Sequence, residues 1–238
     1  MYYDELSMTE FSKRVKQKDL VAILPIGAVE AHGPHLPLST DSLQPEHVAR
    51  EVAKKLNALI LPPFRYGMCS STKNYPGTIS ISPESLRMVV RDIISELVRN
   101  GVKNIVVLAG HAGLHHISAL KLAAQDIVDA KKVKIMVLSD YDIAYDLRGK
   151  VVPEDDGHAG TIETSRVMAI RPDLHKARGK KSENRIPHFR VFKNPDKYWA
   201  NATNGDPTKA SALLGRKVND YIVKALVVHI KLMLRAPE

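Results

Sequence analysis

Four short apolar runs alternate along the chain with longer segments of helical spacing, and this alternation restricts the possible folds more than any other feature. The runs cover residues 20–26, 58–61, 104–108 and 133–138. Runs that are apolar throughout are typical of strands buried on both faces, and strands that alternate with helices form parallel sheets. The sequence therefore predicts an α/β fold with one three-layer domain over residues 1–238, in which helices flank a mainly parallel sheet on both faces.

The helical segments are defined by their apolar spacing and by their end signals. We predict helices over residues 8–17, 45–56, 83–100, 117–130, 162–170 and 210–234. Ser82 is a suitable N-cap for the third of these, with Pro83 at its first position. Residues 175–207 are irregular and rich in Asn, Lys and Pro.

Composition narrows the classes of function. The chain has 35 Lys and Arg against 26 Asp and Glu, a net charge of +9, which favours an anionic partner. No nucleic-acid signature accompanies the charge, and no apolar run is long enough to cross a bilayer. We expect a soluble cytoplasmic protein that binds neither nucleic acid nor membrane. A single cysteine, Cys69, excludes an intramolecular disulfide and an all-thiolate metal site.

The polar motifs follow the predicted strands. Residues 27–41 come directly after the first strand and contain Glu30, His32, His35 and Asp41. Glu30 and His32 are two residues apart, so they project to one side in extended backbone. Asp41 can return to them after the proline-restrained turn. His35 could simply form hydrogen bonds within the loop, and such a cluster has a structural explanation about half the time.

Two further loops carry His111, and His158 with Glu163. An isolated histidine or glutamate in such a place is more often a helix cap or a satisfied core polar group. The carboxyl ends of parallel strands share one edge of a sheet, however, so these side chains can meet those of the first loop. Two of these imidazoles with the three carboxylates would suit two divalent cations, with a bridging carboxylate and open positions for water and substrate. The natural reaction is hydrolysis.

Five ordered motifs resemble the creatininase family of amidohydrolases, which includes archaeal formamide hydrolases of flavin and deazaflavin biosynthesis. They are Glu-Ala-His-Gly-Pro-His-Leu-Pro at 30–37 with Thr-Asp at 40–41, Tyr-Pro-Gly-Thr-Ile-Ser at 75–80, Gly-His at 110–111, His-Ala-Gly to Glu-Thr-Ser at 158–165, and Gly-Asp-Pro-Thr at 205–208. The match covers nearly the whole chain. It implies a compact homo-oligomer, commonly a hexamer.

The resemblance also implies roles for individual residues. The metal ligands would be Glu30, His32, Asp41, His111 and Glu163, with Asp41 as the bridge. His158 would transfer a proton or orient the substrate, and with Glu163 it makes up the expected catalytic pair. Two Zn, Mn or Fe(II) ions per chain would be the cofactors, because all three tolerate His and carboxylate ligands.

Departures from the family pattern bear on the substrate. Creatininases have a glutamate where this chain has Gly113, so the carboxylate role is assigned to Glu163. They close the site with tryptophans, whereas the sole tryptophan here, Trp199, falls in the irregular segment. Lys73 and Arg65 could meet a substrate phosphate, although solvated loop cations are at least as common. Cys69 is expected to be a buried small side chain and no nucleophile.

The sequence therefore favours hydrolysis of a non-peptide C–N amide bond by water activated between two cations, with His158 delivering a proton to the departing nitrogen. We expect a small-molecule substrate, a formamide on a ribosylaminopyrimidine phosphate. Creatinine, another cyclic amide or a peptide-like amide is the alternative within the family. A non-catalytic α/β nucleotide-binding module is the alternative of another class.

Overall fold

A four-stranded parallel sheet forms the centre of the molecule. The computed structural model describes residues 1–187 and 189–237. Its strands are β1 (Val21–Ile26), β2 (Ala58–Ile60), β3 (Asn104–Ala109) and β4 (Lys134–Ser139), in the order β2-β1-β3-β4. All three pairings are parallel. The prediction of a parallel sheet built from the four apolar runs is confirmed.

Helices cover both faces of this sheet. They are α1 (Met8–Arg14), α2 (Thr40–Ala53), α3 (Pro83–Arg99), α4 (Leu114–Val128), α5 (Asp140–Ala144), α6 (Thr161–Ile170) and α7 (Ala212–Arg235). One core joins α3 and α4 to the sheet, and the other joins α2, α5, α6 and α7 to its opposite face. The three-layer α/β architecture is confirmed. Within the described residues, no helix is both long and apolar enough to cross a membrane.

The strand order creates a crevice at one edge of the sheet. From β1 the chain goes to β2 on one side, and it later returns to β3 on the other side of β1. The loops that follow β1 and β3 therefore leave adjacent strands in opposite directions, and ligands of open α/β sheets bind at such a point. Residue pairing aligns Ile26 with Ala109, so both loops start at the same level.

Helix α2 differs from its prediction, because it begins at Thr40 rather than at residue 45. The sequence favours Pro45 as the start, since an interior proline cannot donate the helical hydrogen bond to the carbonyl four residues earlier. Here that carbonyl belongs to Asp41, and Gly110 packs directly against it; a Cβ at position 110 would lie 2.0 Å from the Asp41 oxygen. The early start places Asp41 in the first helical turn, where the helix dipole favours its negative charge.

A buried ion pair ties the helices behind this edge together. Arg166 of α6 is fully buried and donates to Asp140 at the start of α5 and, over 2.8 Å from Nε, to Asn219 of α7. Burial of such a charge requires a partner, because an unpaired ion in the protein interior costs several kcal/mol. The pair therefore fixes α6, which carries Glu163 one turn earlier.

Candidate metal centre

The predicted ligands meet at the carboxyl edge of the sheet. The loop after β1 and the first turn of α2 contribute three of them, the loop after β3 one, and the first turn of α6 one. All five are buried, with exposed fractions between 0 and 8%: Glu30, His32, Asp41, His111 and Glu163. Charged groups are rarely buried without a partner or a metal, so this convergence marks the centre as a functional site.

Asp41 lies between the two histidines. Its Oδ1 is 3.0 Å from Nε2 of His32, and its Oδ2 is 3.1 Å from Nδ1 of His111. Each carboxylate oxygen thus faces a different imidazole nitrogen. This arrangement is what a carboxylate that bridges two cations requires.

Each histidine also faces a second carboxylate. Nδ1 of His111 is 2.8 Å from Oε2 of Glu30, and Nε2 of His32 is 3.4 Å from Oε2 of Glu163. We call the group of His111, Glu30 and Asp41 the His111 half-site, and the group of His32, Glu163 and Asp41 the His32 half-site. The two half-sites share only Asp41, so each can offer three protein ligands to a cation.

The other nitrogen of each imidazole is held by a backbone carbonyl. Nδ1–H of His32 donates to the Glu30 carbonyl over 3.0 Å, and Nε2–H of His111 donates to the Met68 carbonyl over 3.1 Å. The Thr72 hydroxyl donates to Oε1 of Glu30. Bonds of this kind set the tautomer and orientation of metal-binding histidines and carboxylates. They leave Nε2 of His32, Nδ1 of His111 and Oε2 of Glu30 for a cation.

Three of the inward-facing atoms have no hydrogen-bond partner among the described residues. They are Oε2 of Glu30, Nε2 of His32 and Oδ2 of Asp41, and all are buried. A buried polar atom without a hydrogen bond costs about 1–3 kcal/mol, and more if charged. The donor set and these orphaned atoms fit two divalent cations.

The charges of the centre stabilise one another. Burial alone would lower the pKa of His32, yet the Asp41 and Glu163 carboxylates outweigh it and raise that pKa to about 10. Burial likewise opposes ionisation of Asp41, whose pKa is nevertheless held well below its usual range by His32 and His111. Burial alone would also lower the pKa of His111, but the Glu30 and Asp41 carboxylates raise it well above its usual range. Bound cations would displace protons from these two imidazoles.

His158 adjoins the His32 half-site. Its ring stacks on that of His32 at a centroid distance of 4.1 Å, and Nε2–H donates to the Ala31 carbonyl over 2.8 Å. The backbone that follows His158 is tightly built, since Ala159 adopts a positive φ of 53° and its N–H donates to Glu163. A non-glycine residue in this conformation is strained, and such strain clusters at functional sites.

His35 is part of the framework. It is fully buried, and its Nε2 lies 3.0 Å from the Thr164 hydroxyl and 3.2 Å from the Ala159 carbonyl. Burial lowers its pKa to about 4, so the ring is neutral near pH 7. These contacts reach the loop before Glu163, whereas the sequence suggests hydrogen bonds within residues 27–41.

The metal centre opens into a cavity of about 180 Å³. Sequence reasoning missed four of the residues that line it, which are Ser71, Tyr145, Asn184 and Trp199. Trp199 differs most from expectation: its ring is 5.0 Å from that of His158, edge to face, although the sequence suggests a site without tryptophan. Trp199 lies in a segment without helical or strand periodicity, so the pattern of apolar residues does not predict its position. Its only distinguishing feature in the sequence is that it is the single tryptophan.

The other residues singled out in the sequence lie outside the cavity. Arg65 forms two hydrogen bonds with Glu46, of 2.9 and 3.0 Å, and is therefore already paired. Lys73 is exposed and does not line the cavity. Cys69 is fully buried, and burial together with the Glu30 and Asp41 charges raises the pKa of its thiol. The burial and the raised pKa of the thiol agree with the expectation that Cys69 is not a nucleophile.

Comparisons with known proteins agree with the geometry. The sequence profile of a family described as creatininase, creatinine amidohydrolase, matches residues 4–230. Creatinine amidohydrolase of Pseudomonas putida is 34% identical over 190 residues, which cover 73% of each chain. Mycofactocin precursor peptide peptidase of Mycolicibacterium smegmatis is 28% identical over 237 residues, covering 94% of this chain and 89% of that protein.

Solved structures show the same fold. A crystal structure of creatinine amidohydrolase (creatininase) matches with a TM-score of 0.87 and 29% identity, over 99% of this chain and 98% of that one. A creatininase structure with Mn matches with the same TM-score and 28% identity, over 99% of both chains. A mutant creatininase of the Zn-Zn type matches with a TM-score of 0.86 and 28% identity, over 99% of this chain and 98% of that one.

Proposed function

Because the chain belongs to the creatininase family of metal-dependent amidohydrolases, we propose that it hydrolyses the formamide C–N bond of a ribosylaminopyrimidine phosphate. The observation that carries this proposal is the shape of the site: a small cavity lined by four of the five proposed ligands adjoins a larger groove whose lining includes Arg190. Because the chain belongs to a family of amidohydrolases, the alternative of a non-catalytic nucleotide-binding module is no longer favoured.

The adjoining groove suits an anionic portion of a substrate. It has a volume of about 490 Å³ and shares Ser71 and Asn184 with the metal cavity. Arg190 and His115 contribute to its wall, and the net charge of the chain is +9. Arginine binds phosphate through charge-assisted hydrogen bonds. The groove is therefore a better candidate for the phosphate than Lys73 or the paired Arg65.

The reaction assigns a task to each residue of the centre. Glu30, His32, Asp41, His111 and Glu163 would hold two divalent cations, which lower the pKa of water and polarise a carbonyl when bound. Water adds its oxygen to the formyl carbon, the C–N bond breaks, and formate and an amine result. His158 keeps Nε2–H on the Ala31 carbonyl, so its Nδ1 is the atom that accepts a proton from the water and passes it to the departing nitrogen.

Creatinine is the second candidate, and Trp199 favours it. The indole stands beside His158 on the cavity wall, where it could cover a small flat ring. The Pseudomonas putida relative is named for that substrate, whereas the mycobacterial relatives are named for a precursor peptide. Creatinine would need the cavity alone, while a peptide or a nucleotide would also need the groove.

A hydrolysis screen with Arg190→Ala distinguishes these substrates. We expect turnover of a formamidopyrimidine nucleotide, and we expect the variant to raise the KM for it about tenfold, because a hydrogen bond to a charged group contributes about 1.5–3 kcal/mol. The KM for the dephosphorylated substrate should not change. Arg216→Ala, which removes an exposed arginine of α7, is the matched control. Turnover of creatinine or a peptide with no formamide turnover would contradict the proposal.

A further inference from the structure

We propose that the thiolate of Cys69 is an additional protein ligand in the His111 half-site, so that the two half-sites hold their cations with different donor sets. This inference rests on the proposed function only in requiring that the centre binds divalent cations. It distinguishes the two cation sites by the chemistry of their donors, because only the His111 half-site would include sulfur.

The thiol lies within ligand distance of the His111 half-site. Ligand atoms of Cys69, Glu30 and His111 all lie within 4.8 Å of one another, and the three side chains are buried. In tetrahedral zinc sites the metal is about 2.3 Å from sulfur and about 2.0–2.2 Å from nitrogen or oxygen. Ligands at these lengths must cluster closely, as these three do.

Two orphaned oxygens indicate that the cluster is built for a cation. Oε2 of Glu30 and Oδ2 of Asp41 are buried without a hydrogen-bond partner among the described residues, and both face Nδ1 of His111. A thiol is only a weak hydrogen-bond donor and would satisfy these carboxylate oxygens poorly. A cation bound by Cys69, Glu30 and His111 would satisfy the Glu30 oxygen through a direct bond.

The proposal makes the two half-sites unequal. The thiol would add sulfur to the donors of the His111 half-site, whereas His32, Asp41 and Glu163 offer only nitrogen and oxygen. The half-site without sulfur is the one on which His158 stacks. Members of both half-sites line the cavity, namely Glu30, Asp41, His111 and Glu163, whereas Cys69 does not. Both cations would therefore face the cavity, and the thiol would approach its cation from the protein side.

The thiolate also predicts a metal preference. Soft sulfur ligands select Zn or Fe over Mn, which prefers carboxylate and water oxygens. Coordination forms the S–metal bond and releases the thiol proton to solvent. The His111 half-site should therefore prefer Zn over Mn more strongly than the His32 half-site does.

Cobalt(II) substitution of the full chain tests the proposal directly. With two Co(II) ions bound per chain, we expect a thiolate-to-cobalt charge-transfer band in the near ultraviolet. Cys69→Ala should lose this band, and its preference for Zn over Mn in a chelator competition should fall by about tenfold or more, the scale for loss of a metal-supporting group. Cys69→Ser provides a variant of nearly native volume with the same expectation for the band.

The matched control keeps the thiol and disturbs its surroundings. Ser80→Ala removes the hydroxyl that accepts from the Cys69 backbone N–H over 2.9 Å, and it should keep the charge-transfer band. Two bound Co(II) ions without such a band in the parent chain would overturn the Cys69 assignment and leave the proposed function standing. Failure of the parent chain to bind Co(II) at all would instead overturn both.

Discussion

The Asp41→Ala variant is expected to lose tight binding of both cations, and its activity with them. Oδ1 and Oδ2 of Asp41 face the two histidines at 3.0 and 3.1 Å, so one side chain belongs to both half-sites. Removing a supporting partner of a metal ligand already costs about 10–100-fold in affinity, and removal of a shared ligand should cost more than about 100-fold at each site. Metal titration followed by turnover at limiting metal measures the effect.

His35→Ala is the comparison for Asp41→Ala. His35 is also buried and polar, but it contacts Thr164 and Ala159 instead of the half-sites. Its variant should bind two cations and keep more activity than Asp41→Ala, and circular dichroism should show both variants folded. Parent-like turnover of Asp41→Ala at saturating metal would contradict the assignment of Asp41 as the bridge.

The sequence predicts where Asp41 lies in the site, but it does not predict the helical turn that carries it. The motif at residues 27–41 and the strand before it are sufficient to place Asp41 near Glu30 and His32. The helical turn that carries Asp41 is missed, because the rule that proline starts a helix puts the beginning at Pro45. In the structure the Asp41 carbonyl packs against Gly110, and a contact between residues so far apart along the chain has no local signal.

The His158→Asn variant is expected to keep both cations and to lower turnover by roughly a hundredfold or more, the scale for loss of a general acid or base. His158 stacks on His32 and belongs to neither half-site, so its removal should leave the five proposed ligands in position. One limb of the pH profile of kcat should disappear with it. Turnover, metal content and thermal midpoint are measured on the same preparation.

Each alternative role of His158 predicts a different pattern. Loss of a cation from the variant would make His158 a ligand, because ligand atoms of Glu30, His32 and His158 do lie within 4.8 Å of one another. Retained turnover with a lower thermal midpoint would limit His158 to its hydrogen bond with the Ala31 carbonyl. Either result contradicts proton transfer by this residue.

The walls of the cavity are beyond prediction from the sequence. Strands and most helices follow from periodicity, and the proposed ligands follow from motifs at strand ends, since both signals are local. Trp199 and Asn184 come from the irregular segment, whose path depends on isolated contacts such as the pairing of Asn184 with Trp199. Cys69 could be identified as buried, but its closeness to Glu30 and His111 arises only when three loops meet.

Elemental analysis of the purified chain tests the central claim, that this is a two-cation hydrolytic centre. We expect about two divalent ions per chain, loss of activity when they are removed by a chelator, and recovery when Zn, Mn or Fe(II) is added back. A chain without bound metal, whose activity neither falls with the chelator nor returns with any of these ions, would contradict it.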